Sequence, residues 1–554
     1  MSSRVFVLGW DGATWDILRP LMAEGRLPVL QSLIQKGVSG TLNSVFPPLS
    51  PVAWTTVMTG KNPGKHGVFE FVEHGHNPLA GRINTSRCIK SELVWETAGR
   101  FGKRTVAGAV PMSYPPRPAP GFYIGDFLSP ADAKDFSSDP AAFDEMKKAL
   151  GGTYRAWATV THDGGHEADA LADLTGFLKE HLAAVEYMAT HHDWDLFMYD
   201  LMATDRIQHE LWHAWDPAHD KARGRDLEKI RHGFVEFWET LDAGVGLILE
   251  KLGPDTNVIL MSDHGFGPIE WYVNFNVWLL DEGLIQLQNS LYVKQKHWFY
   301  RRGVTPEWIY KIMTRLGLAD QRVSRFQGGQ DNFWDRLAQS AFLSAKHIDW
   351  SKTVAYAQGN FGQIFLNIKG RQPNGCVDPA DAPALIEKIK ERLMMLKHPE
   401  AGEPLVEKVY GRQDLYNGPL IEMGPDLTVV LKDWNYRTIG LHEFTTHKTI
   451  SPAFGPTGDH RLEGMIVGVG PAFENGASPN GACLLDIAPT ILHLLGVPVP
   501  DDMDGRVLTE LLKPELRNSM QLQDSVVSES IDTGPLNPDE EALIQQRLAD
   551  LGYL

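Results

Sequence analysis

The chain has 554 residues, 43% apolar and 22% charged, the balance of a globular protein with room for two or three domains or one large domain with insertions. A formal net charge of −18 excludes a general nucleic-acid binder, which needs a basic footprint. It leaves an anionic substrate open, because bound metal ions supply local positive charge. The three cysteines, Cys88, Cys376 and Cys483, are odd in number and far apart, so neither a disulfide framework nor a cysteine zinc site is expected. No basic segment followed by an apolar core opens the chain, and no apolar run is long enough to span a bilayer. The expectation is a cytoplasmic protein without a transmembrane segment; nothing in the pattern speaks to oligomeric state.

In chain order, residues 5–8 form a short apolar strand, with Asp11 and Gly12 just past its end. Helical turns follow over 14–23, broken or kinked at Pro20, then a helix over 28–36 with Pro28 at its first position and Gly37 and Gly40 ending it. Pro47, Pro48 and Pro51 argue against helix before Ser50, and Pro51 opens a helix over 52–58, which makes Ser50 the expected N-cap. Gly60, Pro63, Gly64 and Gly67 make a loop that carries Lys61, Asn62 and Lys65. Residues 87–111 read as helix then strand (104–110), 112–140 as loop, 167–191 as helix, 194–201 as a buried strand and 225–252 as a long amphipathic helix. After the Gly253-Pro254 break, 258–261 is a buried strand that stops abruptly at Ser262, Asp263, His264 and Gly265.

This alternation predicts an α/β fold, a mostly parallel sheet with helices on both faces. The pattern breaks down over 270–445, which holds a basic aromatic stretch (294–303), a strand pair within 353–369 and a helix over 379–397. We read 270–445 as an inserted cap on a core made of 1–269 and 446–515. The stretch 294–303 has two readings, a lipid-facing patch or the solvated face of a cap helix. Strand (465–469) and helix (486–495) return after Gly458, and 516–554 is a polar tail with a short amphipathic helix over 538–553.

In an open α/β sheet, chemistry collects beyond the carboxyl ends of the strands. The acids and histidines expected there are Asp11; Asp205 with His209; Asp263 with His264; and His460. Asp205 and His209, four apart, project from one helical face. Carboxylate oxygen beside imidazole nitrogen suits zinc or a similar divalent ion. With Ser50 the set suffices for two adjacent metal sites, each keeping a position open for substrate. Ser50 itself has two readings: a cap for an orphan backbone donor, or a nucleophile at the positive end of a helix dipole.

The motifs VLGWDG, PPLSPVAWTTVMTGKNPGKHG, DRIQH, SDHGFG, GDHRLEGM and DIAPTILHLLGVPVPDDMDG run from the N-terminus to about residue 510. In them the chain resembles the alkaline phosphatase superfamily. It is most similar to the type I phosphodiesterase and nucleotide pyrophosphatase branch and its predicted cytosolic phosphohydrolase and phosphomutase relatives. The resemblance implies an alkaline-phosphatase-like fold and two divalent metal ions. Asp205, His209 and His460 would hold one; Asp11, Asp263 and His264 would hold the other, facing Ser50 as a nucleophile that becomes phosphorylated. The His/Asp mixture favours zinc, with manganese as the alternative. The implied substrate is a small phosphate ester, first a diester, second a monoester or a phosphomutase-type transfer.

There are departures. Many nucleotide pyrophosphatases carry a threonine nucleophile followed shortly by a phosphate-binding asparagine; here the stretch is Ser50-Pro51-Val52-Ala53-Trp54, so nucleotide specificity is not implied. A sulfatase needs x-Pro-x-Arg after its modified residue, and Pro51 follows Ser50 at once with no arginine nearby. Lys61, Asn62 and Lys65 either approach substrate oxygens or lie on the loop surface, and Asp459 is either a partner of His460 or a solvated acid. One rival motif exists. HELWHAWDPAH, from His209 to His219, contains H-E-x-x-H, with Glu210 in the general-base position and Asp216 where an extended protease motif has glycine. A protease would leave Asp11, Ser50, Asp263 and His460 without a role.

Overall fold

A computed structural model describes residues 4–73, 81–130, 133–158, 167–308, 342–398, 402–440, 444–517 and 521–524, and five positions between 541 and 548. Among the described residues, seven strands form the central sheet: β1 (Arg4–Gly9), β2 (Val38–Asn43), β3 (Thr105–Gly108), β4 (Gly121–Tyr123), β5 (Leu196–Asp200), β6 (Thr256–Met261) and β7 (Glu463–Val469). Their order is β2-β7-β6-β1-β5-β3-β4. Only β7 runs against its neighbours; the other strands share one direction.

The central strands are buried on both faces, which is why they read as unbroken apolar runs. In β1, Val5 and Val7 join one hydrophobic layer while Phe6 and Leu8 join the opposite one, the period-two alternation of a strand. The first layer is completed by the helices Ser50–Thr59, Val94–Arg100 and Ile487–Leu494. The second is completed by Trp15–Ala23, Glu167–His191, Ala203–Trp215 and Glu228–Leu252. The helix Trp15–Ala23 passes through Pro20 unbroken, because Pro20 faces solvent, where water serves the backbone group its ring leaves unbonded.

Two edge strands escape the sequence pattern. β2 contains Ser39, Gly40 and Thr41, so Gly40, expected to help end a helix, lies inside a strand. β4 is three residues long and sits in the stretch expected to be loop. Strands at a sheet edge need no two-sided apolar run, so periodicity does not announce them.

Between 270 and 445 the chain builds a separate hydrophobic cluster, from Val273 to Phe444. Its antiparallel sheet runs Ala355–Gln358, Gln363–Leu366, Leu427–Leu431, Val406–Gly411, the first two being the expected strand pair. Its helix Ala382–Met394 lies within the expected 379–397. Trp271–Asn274 pairs with Tyr436–Ile439 and with Ile450–Pro452. The basic aromatic stretch forms the helix Leu291–Tyr300, with Lys296 buried and Trp298 and Phe299 half exposed. Most of the helix expected over 538–553 lies outside the described residues; Ile544 and Leu548 are helical and pack into the first layer.

Candidate active site

β1 and β6 are neighbours with Gly9 opposite Met261, so Asp11 and Asp263, each two residues further on, emerge side by side. The turn after β1 brings the Gly12 N–H onto Asp263 Oδ1 at 3.2 Å. Gly12 has φ of +65°, and a Cβ there would meet Phe266 at 2.8 Å and His264 at 3.2 Å, so glycine is required twice over. His264 Nε2 lies 3.4 Å from both Asp11 Oδ1 and Asp263 Oδ2. β5 leads into the helix Ala203–Trp215, which carries Asp205 and, one turn on, His209 with Nε2 3.3 Å from Asp205 Oδ1. His460 arrives on the strand Gly458–Arg461, paired opposite Phe266, and its Nε2 is 3.2 Å from Asp205 Oδ1 and 3.0 Å from His209 Nε2. Two buried triads result, Asp11-Asp263-His264 and Asp205-His209-His460. They are adjacent, since the His264 and His460 rings stack at 3.6 Å.

Every histidine of the two triads turns Nδ1 to a backbone carbonyl: His209 to Gly458 at 2.8 Å, His460 to Pro48 at 2.7 Å and His264 to Gly265 at 3.1 Å. A carbonyl only accepts, so Nδ1–H donates and the Nε2 lone pairs point inward, the tautomer a ligand needs. Two lone pairs 3.0 Å apart, on His209 and His460, repel unless a cation or proton lies near them. Among the described residues, Asp11 Oδ1, Asp263 Oδ2 and His264 Nε2 are buried and make no hydrogen bond. Donor set, orientation and unmet acceptors therefore fit two divalent cations.

The electrostatics agree. Burial, then the neighbouring Asp263, Asp200 and Asp205, push the Asp11 carboxyl well above its ordinary range, and burial lifts Asp263 to about 7. Burial works against the Asp205 carboxylate too, but His209 and His460 outweigh it and hold that group well below its usual value. Burial, then His460, drives His264 well down, so it stays neutral. Such crowding of buried carboxylates is what bound cations relieve. Asp200, missed in the sequence reading, adds to it: it ends β5, is fully buried, and neither of its oxygens finds a hydrogen bond among the described residues. Its place at the end of a buried apolar run was the available signal.

Ser50 is not a cap. The N-cap is Leu49, Ser50 is the first helical residue and Pro51 the second, a position where a missing N–H is equally harmless. The buried Ser50 sits between contacts to both triads: two residues before it, Pro48 O accepts from His460, and one turn after it, Trp54 Nε1 donates to Asp11 Oδ2 at 3.3 Å.

Other expected residues are employed elsewhere. Lys61 is buried against Asp502 at 2.5 Å and Lys65 pairs with Asp504 at 2.6 Å, which clips the end of the Ser50 helix to the DDMDG loop. Asn62 caps the short helix Pro63–His66. Asp459 is neither solvated nor the partner of His460 Nδ1; it is buried and pairs with Arg437 of the inserted segment at 3.3 Å. The H-E-x-x-H stretch does not converge. Leu211 breaks helical geometry with φ of −123°, His213 turns to Thr457 at 3.3 Å, His219 to Ile269 O at 3.1 Å, and Glu210 pairs with Arg206 at 3.1 Å. Neither triad includes His213 or His219. Phe266 packs edge-on against His209 at 4.7 Å, and Phe361, from the inserted segment, stacks on His460 at 5.8 Å.

Residues 5–440 match the family model of type I phosphodiesterase / nucleotide pyrophosphatase. The chain belongs to this family. The match ends before His460, so the last member of the second triad joins through the fold. A search of curated proteins finds no match. Among solved structures, phosphonoacetate hydrolase from Sinorhizobium meliloti 1021, in complex with phosphonoformate, aligns over 90% of this chain and 96% of that one, with a TM-score of 0.52 and 15% identity. Human ectonucleotide pyrophosphatase/phosphodiesterase 5 aligns over 92% and 100%, with a TM-score of 0.48 and 14% identity. The fold of this family member is alkaline-phosphatase-like. Among the described residues, no helix is long and apolar enough to cross a membrane.

Proposed function

We propose that this family member is a two-metal phosphoric ester hydrolase, favouring diesters, that works through a phosphoserine on Ser50. The observation that carries this reading is the convergence of two buried triads whose histidines all give Nδ1 to a backbone carbonyl and turn Nε2 toward the carboxylates. Asp11, Asp263 and His264 hold one divalent cation beside Ser50, and Asp205, His209 and His460 hold the other, zinc first and manganese second. Bound there, the cations supply Lewis acidity, neutralising phosphate charge and favouring the ionised form of a neighbouring hydroxyl. Ser50 Oγ attacks phosphorus, the O–P bond forms as the alcohol leaves, and water then cleaves the phosphoserine to release phosphate or its remaining ester. In the first turn of the Ser50 helix, Pro51 has no N–H and those of Val52 and Ala53 already donate to Leu49 O, which leaves the positive end of the helix dipole to favour the incoming anion. The histidines ligate only as neutral rings, so turnover declines in acid.

The division into a core (1–269 and 446–515), a specificity insert (270–445) and a tail (516–554) belongs to this proposal, as does a cytoplasmic location, which fractionation tests. The deciding experiment is hydrolysis of a chromogenic phosphodiester beside its monoester, with and without chelator, on protein loaded with zinc or manganese. A chelator-sensitive diester preference is expected. Monoester preference replaces the reading with a phosphatase or mutase, and turnover unaffected by chelation overturns the two-metal site. Glu210→Gln leaves turnover within about twofold, whereas in a protease of the H-E-x-x-H type the same change removes the general base.

A further inference from the structure

A second cleft lies where the inserted segment meets the core. It spans about 450 Å³ counted to its open mouth, and Phe69, Glu70, Asn84, Gln363 and Phe365 line it. Three buried acceptors there, Glu70 Oε2, Asn84 Oδ1 and Gln363 Oε1, have no hydrogen-bond partner among the described residues. Asn84 and Gln363 are each 2% exposed. Their amides are not free to flip. Asn84 Nδ2 donates to Glu70 O at 2.8 Å and Gln363 Nε2 to Phe69 O at 3.2 Å, and a carbonyl demands a donor, so the oxygens are the atoms left over. Two of them converge. A Cβ at Gly359 would lie 2.0 Å from Gln363 Oε1 and 2.3 Å from Glu70 Oε2, so the two oxygens are at most about 4.3 Å apart, the sum of those distances, and lie against a backbone where only glycine leaves room for them.

The geometry points to a site for a primary ammonium group, accepted by Glu70, Asn84 and Gln363, carried on the non-reacting side of the phosphate ester. This rests on the hydrolase reading above. An ammonium brings three N–H donors and no acceptor, which matches three unmet acceptors, and one positive charge, which matches one carboxylate. Calcium collects six to eight oxygens, more than these residues offer. Glu73, the other carboxylate of the cleft, is paired with Arg82. Arg437, whose charge reaches Glu70, is held by Asp459. The Tyr416 hydroxyl also lies within electrostatic reach of Glu70, one donor against three acceptors. Burial lifts the Glu70 carboxyl to about 7 against the pull of the Phe71 N–H and Arg437, and a bound ammonium would lower it again. Phe69 and Phe365 give the cleft apolar walls.

The cleft is close to the triads. Gly359, Asn360 and Phe361 are consecutive, and Phe361 stacks on His460, so the cleft and the triad are joined by a stretch of about 7 Å between end Cα atoms. A substrate with its phosphate at Ser50 reaches the cleft past the Phe361 ring, so the arm length that serves is read from a graded series.

The test uses metal-loaded full-length protein and p-nitrophenyl ω-aminoalkyl phosphodiesters of graded arm length, each beside its N-acetyl counterpart. The wild type is expected to prefer the amine by at least about tenfold in kcat/KM at one arm length, since a site built for hydrogen bonding rejects an analogue that leaves it unpaired. Glu70→Gln and Gln363→Met each bring the ratio close to one; the second keeps the proposal testable if the first does not fold. A ratio near one in the wild type overturns the ammonium site while leaving the hydrolase intact. A preference that persists in both variants overturns it equally. n-Butylamine then separates substrate from effector: competitive inhibition supports the site as drawn, and non-competitive inhibition removes the ammonium from the substrate. If no ester is turned over, the hydrolase reading fails by itself. The site is then read by melting temperature with n-butylamine against n-butanol: an amine-specific rise lost in Glu70→Gln supports it and no rise overturns it.

Discussion

The triads and the ammonium cleft are both buried polar sites, and they are built in opposite ways. The triads draw on the ends of β1, β5 and β6 and on the strand Gly458–Arg461, and each imidazole is pinned by a backbone carbonyl. The cleft takes two of its three acceptors, Glu70 and Asn84, from the segments around the Ser50 helix and the third, Gln363, from the strand Gln363–Leu366, and its amides are pinned by carbonyls of a loop. The triads concentrate charge that bound cations relieve, whereas the cleft holds one carboxylate, with Oε1 on the Phe71 N–H and Oε2 unmet among the described residues, beside neutral amides. Reaction chemistry needs ligands held to a fraction of an ångström, which a buried parallel sheet provides.

The comparison breaks most sharply at Ser50. Ser50→Ala is expected to lower kcat by on the order of 10³-fold or more, with the melting temperature unchanged, in line with what single removal of a nucleophile costs. Retained turnover eliminates the covalent step. His264→Ala comes next: metal content drops by about half, and activity falls by at least on the order of 10²-fold, beyond what loss of a ligand-orienting partner costs. Full metal occupancy in that variant removes the first triad from the site.

Lys61→Met tests whether the clip under the Ser50 helix is structural. Lys61 is buried and Asp502 about one-third exposed, so a loss of about 2 kcal/mol is expected in denaturant unfolding, between the surface and buried limits. A loss in kcat without a loss in stability would instead place Lys61 at the substrate.

Acid separates core from site. Burial holds His66 down to about 3 and His181 down to about 4, and His66 spends both ring nitrogens as a neutral ring, accepting from Val68 N and facing Thr56 Oγ1. Unfolded histidine takes up a proton below about 6.5 while these folded ones do not. Their contribution is therefore full above that pH and declines as pH falls toward 4 and then 3, by at most about 1.4 kcal/mol per pH unit for each. From pH 7.5 to 5 the unfolding free energy of the wild type should fall relative to that of His66→Gln, because the raised Asp11, Asp263 and Glu70 carboxyls, which gain stability as pH falls, are common to both; parallel profiles contradict the buried neutral ring of His66.

The smallest effect is expected where the two regions touch. Phe361→Ala removes the inserted ring stacked on His460 and should raise KM about threefold with kcat little changed, roughly the value of one aromatic contact. A loss confined to kcat would make Phe361 part of the reaction machinery.

What the sequence determined by itself is the part encoded locally. Apolar runs that stop at Asp11 or at Asp263-His264, the four-residue spacing of Asp205 and His209, and the prolines before Ser50 each lie within one element, so periodicity and turn chemistry suffice to read them. They announce the sheet and most of the residues of the two triads. Tertiary structure alone decided what depends on residues hundreds of positions apart: that Pro48 and Gly458 select the histidine tautomers, that Lys61 belongs to Asp502, and that Glu70 and Gln363 converge. The edge strands β2 and β4 belong here too, because partners elsewhere in the sheet, and no pattern of their own, make them strands. Burial is a property of the assembled chain, and with it come the electrostatics that turn ordinary acids and histidines into a site.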